Sequence, residues 1–232
     1  MTILHVSDLH FDKRWFHWLS VFAPRHDVLV IAGDLLDHAH PAAPAKQADW
    51  IGGWIRGHHK PLCICSGNHD LLWDDRESRW APATWLRALA GPAVHVDGER
   101  LELRGLTLAV HGARSAETPD ADIWVMHVPP AGLAVSRVAA ERDHGDPDST
   151  VWRAERPPRL VLSGHVHNPV CWYDRARGVA FMNPGRNPAA RFPNHVLIDL
   201  VQNSAIHVSD GSGSPRCRVW QLPASPTTAC VS

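Results

Sequence analysis

The sequence predicts an α/β fold in which neighbouring strands run parallel, and two patterns along the chain support this prediction. In the first 65 residues, short apolar runs alternate with segments of helical spacing in the order β-α-β-α-β. Such alternation is typical of an α/β sheet with parallel neighbours. After residue 91, short strand-like runs follow one another with Gly, Pro or Asp between them, so we expect the second half to be rich in sheet.

Three buried strands and three helices are predicted before residue 91. The strands are apolar runs dense in Val, Ile, Leu or Cys, at 2–6, 27–34 and 61–65. The helices are segments with apolar residues at helical spacing, at 15–23, 42–57 and 79–90. Pro24 follows the first helix and Gly91 the third, and both residue types are common just beyond a helix end.

The remainder of the chain is predicted as short strands, one connector and a tail. The strand-like runs are AVHV, RLELRG, LTLAVHG, IWVMHV, RLVLSGHV, VAFMN and HVLIDL. Residues 131–158 are polar and contain Pro, which indicates a connector with one helix in its middle. From Ser209 onward Gly, Ser, Pro and Thr dominate. We therefore expect one domain over 1–208 and a flexible C-terminal tail over 209–232.

Length and charge limit the classes of protein that the chain can represent. Its 232 residues, 44% of them hydrophobic, are enough to bury a sizeable core without disulfide bonds. Lys plus Arg is 23 and Asp plus Glu is 24, which gives a formal net charge of −1. The chain as a whole therefore has no electrostatic preference for nucleic acid, although a local basic patch remains open.

The N-terminus and the cysteines indicate where the protein acts. MTILHVSDLH has no basic segment followed by a long apolar run, and no stretch approaches 18 apolar residues. We therefore expect a cytoplasmic protein without a membrane span. Cys63 and Cys65 would share one face of a strand, which makes them poor disulfide partners. Five cysteines without a framework spacing favour a reducing compartment.

Polar side chains follow five of the apolar runs, at the point where each run ends. In open α/β sheets, ligands bind outside the carboxyl ends of the strands, so we expect these side chains to meet at one rim. They are Asp8 and His10, then Asp34, then Asn68 with His69 and Asp70, then His127, and finally His165 with His167.

The chemistry of these side chains is typical of a metal centre. Imidazoles suit Zn, Fe and similar ions, whereas carboxylate and amide oxygens suit harder ions such as Mn. The candidate ligands exceed what one tetrahedral ion needs, and they suit two ions that share a carboxylate. Each also has an ordinary structural alternative: Asp8 as a turn cap, Asp34 as a helix cap and His127 as a core histidine. Together, those alternatives require independent coincidences.

Five motifs give the chain a family resemblance. They are DLH (8–10), GD (33–34), GNHD (67–70), MH (126–127) and GHVH (164–167). In order and rough spacing they resemble the calcineurin-like metallophosphoesterases, over residues 1 to about 200. The resemblance implies a four-layer αββα sandwich, in which two mixed sheets pack face to face with helices outside.

The resemblance also assigns roles to individual residues. It implies that one divalent ion is held by Asp8, His10, Asp34 and His167. It implies that a second ion is held by Asp34, Asn68, His127 and His165. Asp34 would bridge the two ions, and a water or hydroxide between them would attack phosphorus, its pKa lowered toward ~7 by the metals. Mn, Fe, Zn and Ni all accept such nitrogen and oxygen ligands, so the sequence does not choose between them.

His69 and Asp70 are the predicted catalytic residues that do not bind metal. By resemblance, His69 is the general acid that protonates the leaving group or positions the phosphate. Asp70 would hold the other ring nitrogen of His69 and so fix its tautomer.

Five further residues near the motifs are candidates for contact with the substrate. Arg14, Arg76 and Arg186 carry guanidinium groups that suit phosphate, and Trp73, with Trp80, would stack a base. The alternative is that the arginines are ordinary exposed residues and the tryptophans part of the core.

The resemblance and the chain length together favour hydrolysis of a small phosphodiester, such as a cyclic nucleotide. Long nucleic acid is not favoured, because the chain is too short for an extra capping domain and lacks a basic surplus. The alternatives are a phosphomonoesterase or protein phosphatase, and a catalytically silent metal-binding scaffold that acts by binding partners. The oligomeric state is not predicted.

Overall fold

The computed structural model of the chain describes residues 1–74, 78–112, 115–139, 142–211 and 214–221. The first nine strands are β1 (Thr2–Val6), β2 (Val28–Ala32), β3 (Leu62–Cys65), β4 (Leu72–Asp74), β5 (Arg79–Ala81), β6 (Val94–His95), β7 (Arg100–Leu103), β8 (Leu106–Val110) and β9 (Ile123–Val125). The later strands are β10 (Arg137–Val138), β11 (Arg142–Asp143), β12 (Leu160–Leu162), β13 (Tyr173–Ala176), β14 (Val179–Met182), β15 (His195–Asp199), β16 (Ser204–Gly211) and β17 (Ser214–Gln221). The α-helices are α1 (Lys13–Phe22), α2 (Pro44–Arg56) and α3 (Thr84–Arg87).

The first sheet has seven strands in the order β17-β16-β15-β1-β2-β3-β6. The four strands from β1 to β6 run parallel, as the alternation of apolar runs and helices predicts. Strands β15, β16 and β17 add to this core antiparallel and make the sheet mixed. The three strands predicted first in the chain therefore lie side by side, and their carboxyl ends meet at one edge.

The second sheet has six strands in the order β13-β14-β12-β9-β8-β7. Its four central strands run parallel, and the edge strands β13 and β7 are antiparallel to their neighbours. Two small hairpins, β4–β5 and β10–β11, lie outside both sheets.

Alternating side chains of the strands divide the core into layers. On β1, Ile3 packs between the sheets, whereas Leu4 and Val6 pack in the cluster that holds the helices. The strand is therefore buried on both faces, which is typical of the parallel part of an α/β sheet. The α-helices contribute Leu19, Ile51 and other residues to that outer layer. The predicted sandwich of two mixed sheets is therefore confirmed.

The layer outside the second sheet differs from the expected helical one. Val135, Val151 and Trp152 cover Trp124 and Phe181 there. In the described part of 131–158, the chain forms the hairpin β10–β11 and a 3₁₀ turn at Thr150–Arg153, and no α-helix. Polar sequence that contains Gly and Pro suits such a connector better than a helix, which needs an uninterrupted apolar stripe.

Two further expectations about local structure are corrected. The helix predicted at 79–90 is the short helix α3, preceded by strand β5, because Pro82 lacks an N–H and restrains Ala81 to extended backbone. The tail predicted from Ser209 begins inside a strand, since β16 extends to Gly211 and pairs antiparallel with β17. The Gly, Ser, Pro and Thr content of this segment gave no indication of the hairpin. The rest of the predicted tail, residues 222–232, lies outside the described residues.

None of the helices in the described part of the chain is long and apolar enough to cross a membrane.

Candidate metal centre

Backbone hydrogen bonds beyond the strand ends hold the first two motifs together. The loop after β1 pairs with the loop after β2: Asp8 N donates to the carbonyl of Gly33, and His10 N donates to the carbonyl of Asp34. The loop after β9 pairs likewise with the loop after β12, through Gly164 N and the carbonyl of His127. The parallel ladders therefore continue into the motifs and fix the positions of the predicted ligands.

Four of the predicted ligands have left-handed backbone conformations. The φ angles are 54° at Asp8, 42° at His10, 55° at Asp34 and 69° at His165. Residues other than glycine rarely adopt such angles, and each costs of order 1–3 kcal/mol. Strain of this kind persists where surrounding structure enforces it, and four of the ten non-glycine residues with left-handed φ in the described chain are predicted ligands.

The first ligand cluster brings together Asp8, His10, Asp34 and His167. One ligand atom from each lies within 4.8 Å of the others. The Nε2 atoms of His10 and His167 face each other at 3.2 Å. Asp34 Oδ2 lies 3.7 Å from the first of these nitrogens, and Asp8 Oδ1 lies 3.6 Å from the second. This is the set of residues predicted for the first ion.

The second ligand cluster lies on the other side of Asp34. Nε2 of His127 lies 3.3 Å from Asp34 Oδ1 and 3.1 Å from Asn68 Oδ1. Nδ1 of His165 lies 3.0 Å from the same Asn68 oxygen. The structure therefore also brings together the four residues predicted for the second ion.

The tautomer of His127 is set by the backbone. Its Nδ1 lies 2.8 Å from the carbonyl oxygen of Ala32, so this nitrogen must carry a hydrogen. In the neutral ring, Nε2 then presents a lone pair to the oxygens of Asp34 and Asn68. Three acceptors that face one another require a cation between them, either a proton on His127 or a metal ion. Burial would lower the pKa of His127, but Asp34 and Asp8 outweigh it and raise the pKa to about 10.

Three observations show that these residues fit divalent ions. Asp8 Oδ2 is buried and has no hydrogen-bond partner in the described part of the chain, although a buried carboxylate oxygen needs one. Burial lowers the pKa of both His10 and His165 to about 4, which keeps both imidazoles neutral at pH 7, the form in which histidine can bind a metal. The donors are nitrogens and oxygens alone, which suits Mn, Fe, Zn or Ni.

His69 lies beside the first cluster without contributing to it. Its backbone N–H donates to Asp34 Oδ1 at 2.9 Å, and its ring packs edge-on against His10 with the centroids 4.7 Å apart. Its Nδ1 is buried without a hydrogen-bond partner among the described residues. The half-buried imidazole of His69 therefore borders the candidate metal centre, and its ring nitrogens are not part of the first ligand cluster.

The role predicted for Asp70 is wrong, because its carboxylate binds backbone rather than the ring of His69. One oxygen accepts hydrogen bonds from the N–H groups of Leu35 and Leu36, and the other accepts from Gly67. The side chain is fully buried, and burial together with Asp34 raises its pKa to about 7. Asp70 therefore fixes the GNHD turn against the loop after β2, as a positioning residue and not a catalytic one.

Of the residues predicted to contact the substrate, the structure places Arg186 next to the first ligand cluster, and Arg14 in an ion pair on the surface. Arg14 is exposed, and its guanidinium pairs with Asp12, the residue that caps α1. Arg186 donates from Nε to the carbonyl of Asp8 at 3.0 Å, which holds it at the rim of the first cluster. Trp73 is exposed on the β4–β5 hairpin. Arg76 lies outside the described residues.

Three residues that the motifs do not include also shape the site. Asn183 donates to the carbonyls of Gly164 and Val166 and so holds the GHVH loop. Asp97 accepts hydrogen bonds from both the N–H and the hydroxyl of Ser66, which precedes the GNHD turn. His38 Nε2 lies 2.7 Å from the carbonyl oxygen of His69. Asn183 directly follows the buried strand β14, and this position at a strand end could have identified it from the sequence. The sequence around Asp97 and His38 offers no comparable indication.

The family model for calcineurin-like phosphoesterases matches residues 1–169. No curated protein sequence gives a significant match. Among solved structures, the phosphoesterase Yfce from E. coli superimposes with a TM-score of 0.50 at 15% identity, covering 96% of this chain and 100% of that one. This likeness supports the fold.

Two other solved structures are similar in extent. Vps29 from Entamoeba histolytica, complexed with zinc, shares 12% identity over 96% of this chain and 100% of its own, with a TM-score of 0.45. The nuclease MPE from Pseudomonas putida shares 19% identity over 85% of this chain and 84% of its own, with a TM-score of 0.38. The family model covers most of the chain, and it includes every predicted ligand; the chain belongs to the calcineurin-like phosphoesterase family.

Proposed function

We propose that the protein is a dinuclear metal-dependent phosphodiesterase. The observation that carries this proposal is the division of the Asp34 carboxylate between two ligand clusters. Its Oδ2 faces His10 of the first cluster, and its Oδ1 faces His127 of the second. A carboxylate with one oxygen in each cluster is suited to bridge two ions, and paired ions stabilise both the attacking and the leaving oxygen of a displacement at phosphorus.

The chain would hold one ion in each cluster. Asp8, His10 and His167 would complete the first site with Asp34, and Asn68, His127 and His165 the second. Divalent ions bound there would supply Lewis-acid charge and activate a water near neutral pH. The protein keeps the Asp34 carboxylate ionised for this role: burial would raise the pKa of Asp34, but His127 and His69 outweigh it and hold that pKa well below its ordinary value.

His69 is the proposed general acid. Its main-chain N–H is anchored on Asp34, and its carbonyl oxygen is held by His38, so the ring has a fixed position beside His10. An imidazole that is not committed to a metal can give a proton to the leaving oxygen as its bond to phosphorus breaks. The Asp70 carboxylate binds backbone N–H groups and does not set the tautomer of His69.

Among the described residues, the arginines near the site leave little uncommitted positive charge, which suits a singly charged diester better than a doubly charged monoester. Arg14 is already neutralised by Asp12. Arg186 remains at the rim of the first cluster, and its Nη atoms are suited to a phosphate oxygen. A small diester such as a cyclic nucleotide matches this balance of charge, and a long nucleic acid, which needs an extended basic surface, does not.

The free cysteines of the described chain support the proposal that the protein works in a reducing compartment. Cys63 and Cys65 are buried and unpaired, and Cys171 is also a free thiol. Proteins that work in the cytoplasm keep thiols in this state. We therefore propose a cytoplasmic enzyme with a small phosphoester as its partner.

A metal-dependence assay tests the proposal. The protein is stripped with a chelator, reloaded with Mn²⁺, and assayed on bis(p-nitrophenyl) phosphate beside p-nitrophenyl phosphate. We expect Mn²⁺-dependent turnover with preference for the diester. Preference for the monoester would make the protein a phosphomonoesterase. Absence of turnover on both, with any divalent ion, would favour a binding scaffold.

A further inference from the structure

Two tryptophans form an exposed aromatic pair on the hairpin that follows the GNHD motif. Trp73 on β4 lies directly opposite Trp80 on β5, so both side chains point to the same face of the hairpin. They are 51% and 41% exposed, whereas Trp15 and Trp124 are fully buried in the core. Large aromatic surface kept in solvent at this position needs an explanation other than core packing.

The aromatic pair is continuous with the catalytic histidine. Trp80 contacts the ring of His38 edge-on, with the centroids 5.2 Å apart. The ring of His38 lies in turn 5.4 Å from that of His69, whose carbonyl oxygen it holds. The pair therefore borders the site on the flank of His69, where the proposed general acid meets the leaving group.

The two indoles meet their described ring neighbours edge to face and keep about half of their surface exposed. Trp73 and Trp80 meet edge to face, at 77° and with the centroids 5.5 Å apart, and Trp80 meets His38 at 85°. Neither contact is a parallel stack. Exposed indole face of this kind binds planar aromatic groups by stacking, with little dependence on which group it is.

We propose that Trp73 and Trp80 form a subsite for a planar aromatic leaving group, such as a nucleobase-bearing or aryl alcohol. This inference rests on the proposed function, and it names the substrate class of that site: phosphodiesters whose leaving group carries an aromatic ring. Stacking on Trp80 places the ester oxygen of that group beside His69. A diester with an aliphatic leaving group binds the metal centre through the same phosphate, but its leaving group gains no stacking energy from the tryptophans.

A purely structural role for the pair predicts a different outcome. Cross-strand aromatic pairs stabilise hairpins by about 0.2–1 kcal/mol, whatever the enzyme acts on. Loss of such a pair would loosen the hairpin and change the kinetics of all substrates alike. Only a subsite makes the effect depend on the leaving group.

The test compares two substrates on the full chain loaded with Mn²⁺. Bis(p-nitrophenyl) phosphate has an aryl leaving group, and glycerophosphocholine has aliphatic ones. We expect Trp80→Leu to raise the KM for the aryl diester about tenfold or more, since base–aromatic stacking is of that strength, and to leave the KM for glycerophosphocholine within about twofold. Trp80→Phe retains an aromatic face and should keep most of the preference.

The controls separate the subsite from folding and from the proposed function. Val201→Ala removes an exposed apolar side chain just beyond β15, at the opposite end of the first sheet, and should change neither KM. In the unaltered protein, adenosine should inhibit aryl diester hydrolysis competitively while ribose does not. Equal KM changes for both substrates, or equal inhibition by adenosine and ribose, would overturn the subsite. Absence of any turnover by the unaltered protein would instead overturn the phosphodiesterase proposal, and the subsite with it.

Discussion

Nδ1 of His127 lies 2.8 Å from the carbonyl oxygen of Ala32, and this hydrogen bond joins the two sheets beside the candidate metal centre. His127 follows β9 of the second sheet, and Ala32 ends β2 of the first. The same ring presents Nε2 to Asp34 and Asn68. The packing of the sheets and the geometry of the second ligand cluster therefore depend on one imidazole.

Replacement of His127 should reduce both metal content and stability. We expect His127→Ala to lose about one ion per chain and to lower the free energy of unfolding by about 1–3 kcal/mol, because the Ala32 carbonyl is left buried without a donor. Metal analysis and urea denaturation measure the two effects. His111, also buried at the end of a strand in the second sheet, is the control: His111→Ala should cost stability and keep both ions. Equal metal loss in the two variants would contradict the assignment.

Replacement of His69 should separate catalysis from metal binding. We expect His69→Ala to retain the metal content of the unaltered protein and to lower kcat by about 10²–10⁴, the usual contribution of general acid–base catalysis. The loss should be smaller for leaving groups of low pKa such as p-nitrophenolate, which depart without protonation. Loss of metal in parallel with rate would make His69 a ligand instead.

Glycine at position 67 is required by the close approach of Asp34. A Cβ at this position would lie 2.5 Å from the backbone nitrogen of Asp34 and would collide with its carboxylate. We expect Gly67→Ala to cost about 1–3 kcal/mol and to weaken metal binding, because the bridging carboxylate must move. Gly53 of α2 is the matched control, since a Cβ there meets nothing within 4 Å. Gly53→Ala should stabilise by about 0.5–1 kcal/mol with metal content unchanged.

His5 should make the metal-free protein sensitive to acid. Its ring is fully buried, and burial lowers its pKa to about 3. Below about pH 6.5, the unfolded chain binds a proton that native His5 does not, so stability falls as pH decreases from about 6.5 toward 3. Urea denaturation with chelator at pH 7.5 and 5.0 should show this loss. In His5→Leu it should be smaller by about 2 kcal/mol, and an unchanged pH dependence would contradict this account.

The parts of the fold that sequence predicted are those with local signals. The runs at 2–6, 27–34 and 61–65 are dense in Val, Ile, Leu or Cys, so their burial and parallel pairing follow from composition. The candidate ligands were predicted because each stands at the end of an apolar run or just beyond it. Two sets of four candidate ligands, which share Asp34, then converge in the structure as the family motifs implied.

The parts that sequence missed depend on contacts between distant residues. Asp70 and His69 are neighbours in the chain, but the partners of the Asp70 carboxylate include Leu35 and Leu36, which only the fold brings near. Composition suggested a tail after Ser209, yet β16 and β17 pair there because β15 offers an edge. The prediction of a helix at 79–90 took no account of Pro82, which lies between the end of β5 and the start of α3.

Anomalous diffraction from Mn²⁺-loaded crystals would show whether Asp34 bridges two ions. We expect two peaks, one beside each oxygen of the Asp34 carboxylate, about 3.5–4 Å apart. The first should lie among Asp8, His10 and His167, and the second among Asn68, His127 and His165. A single peak, or two peaks that do not share Asp34, would contradict the dinuclear centre.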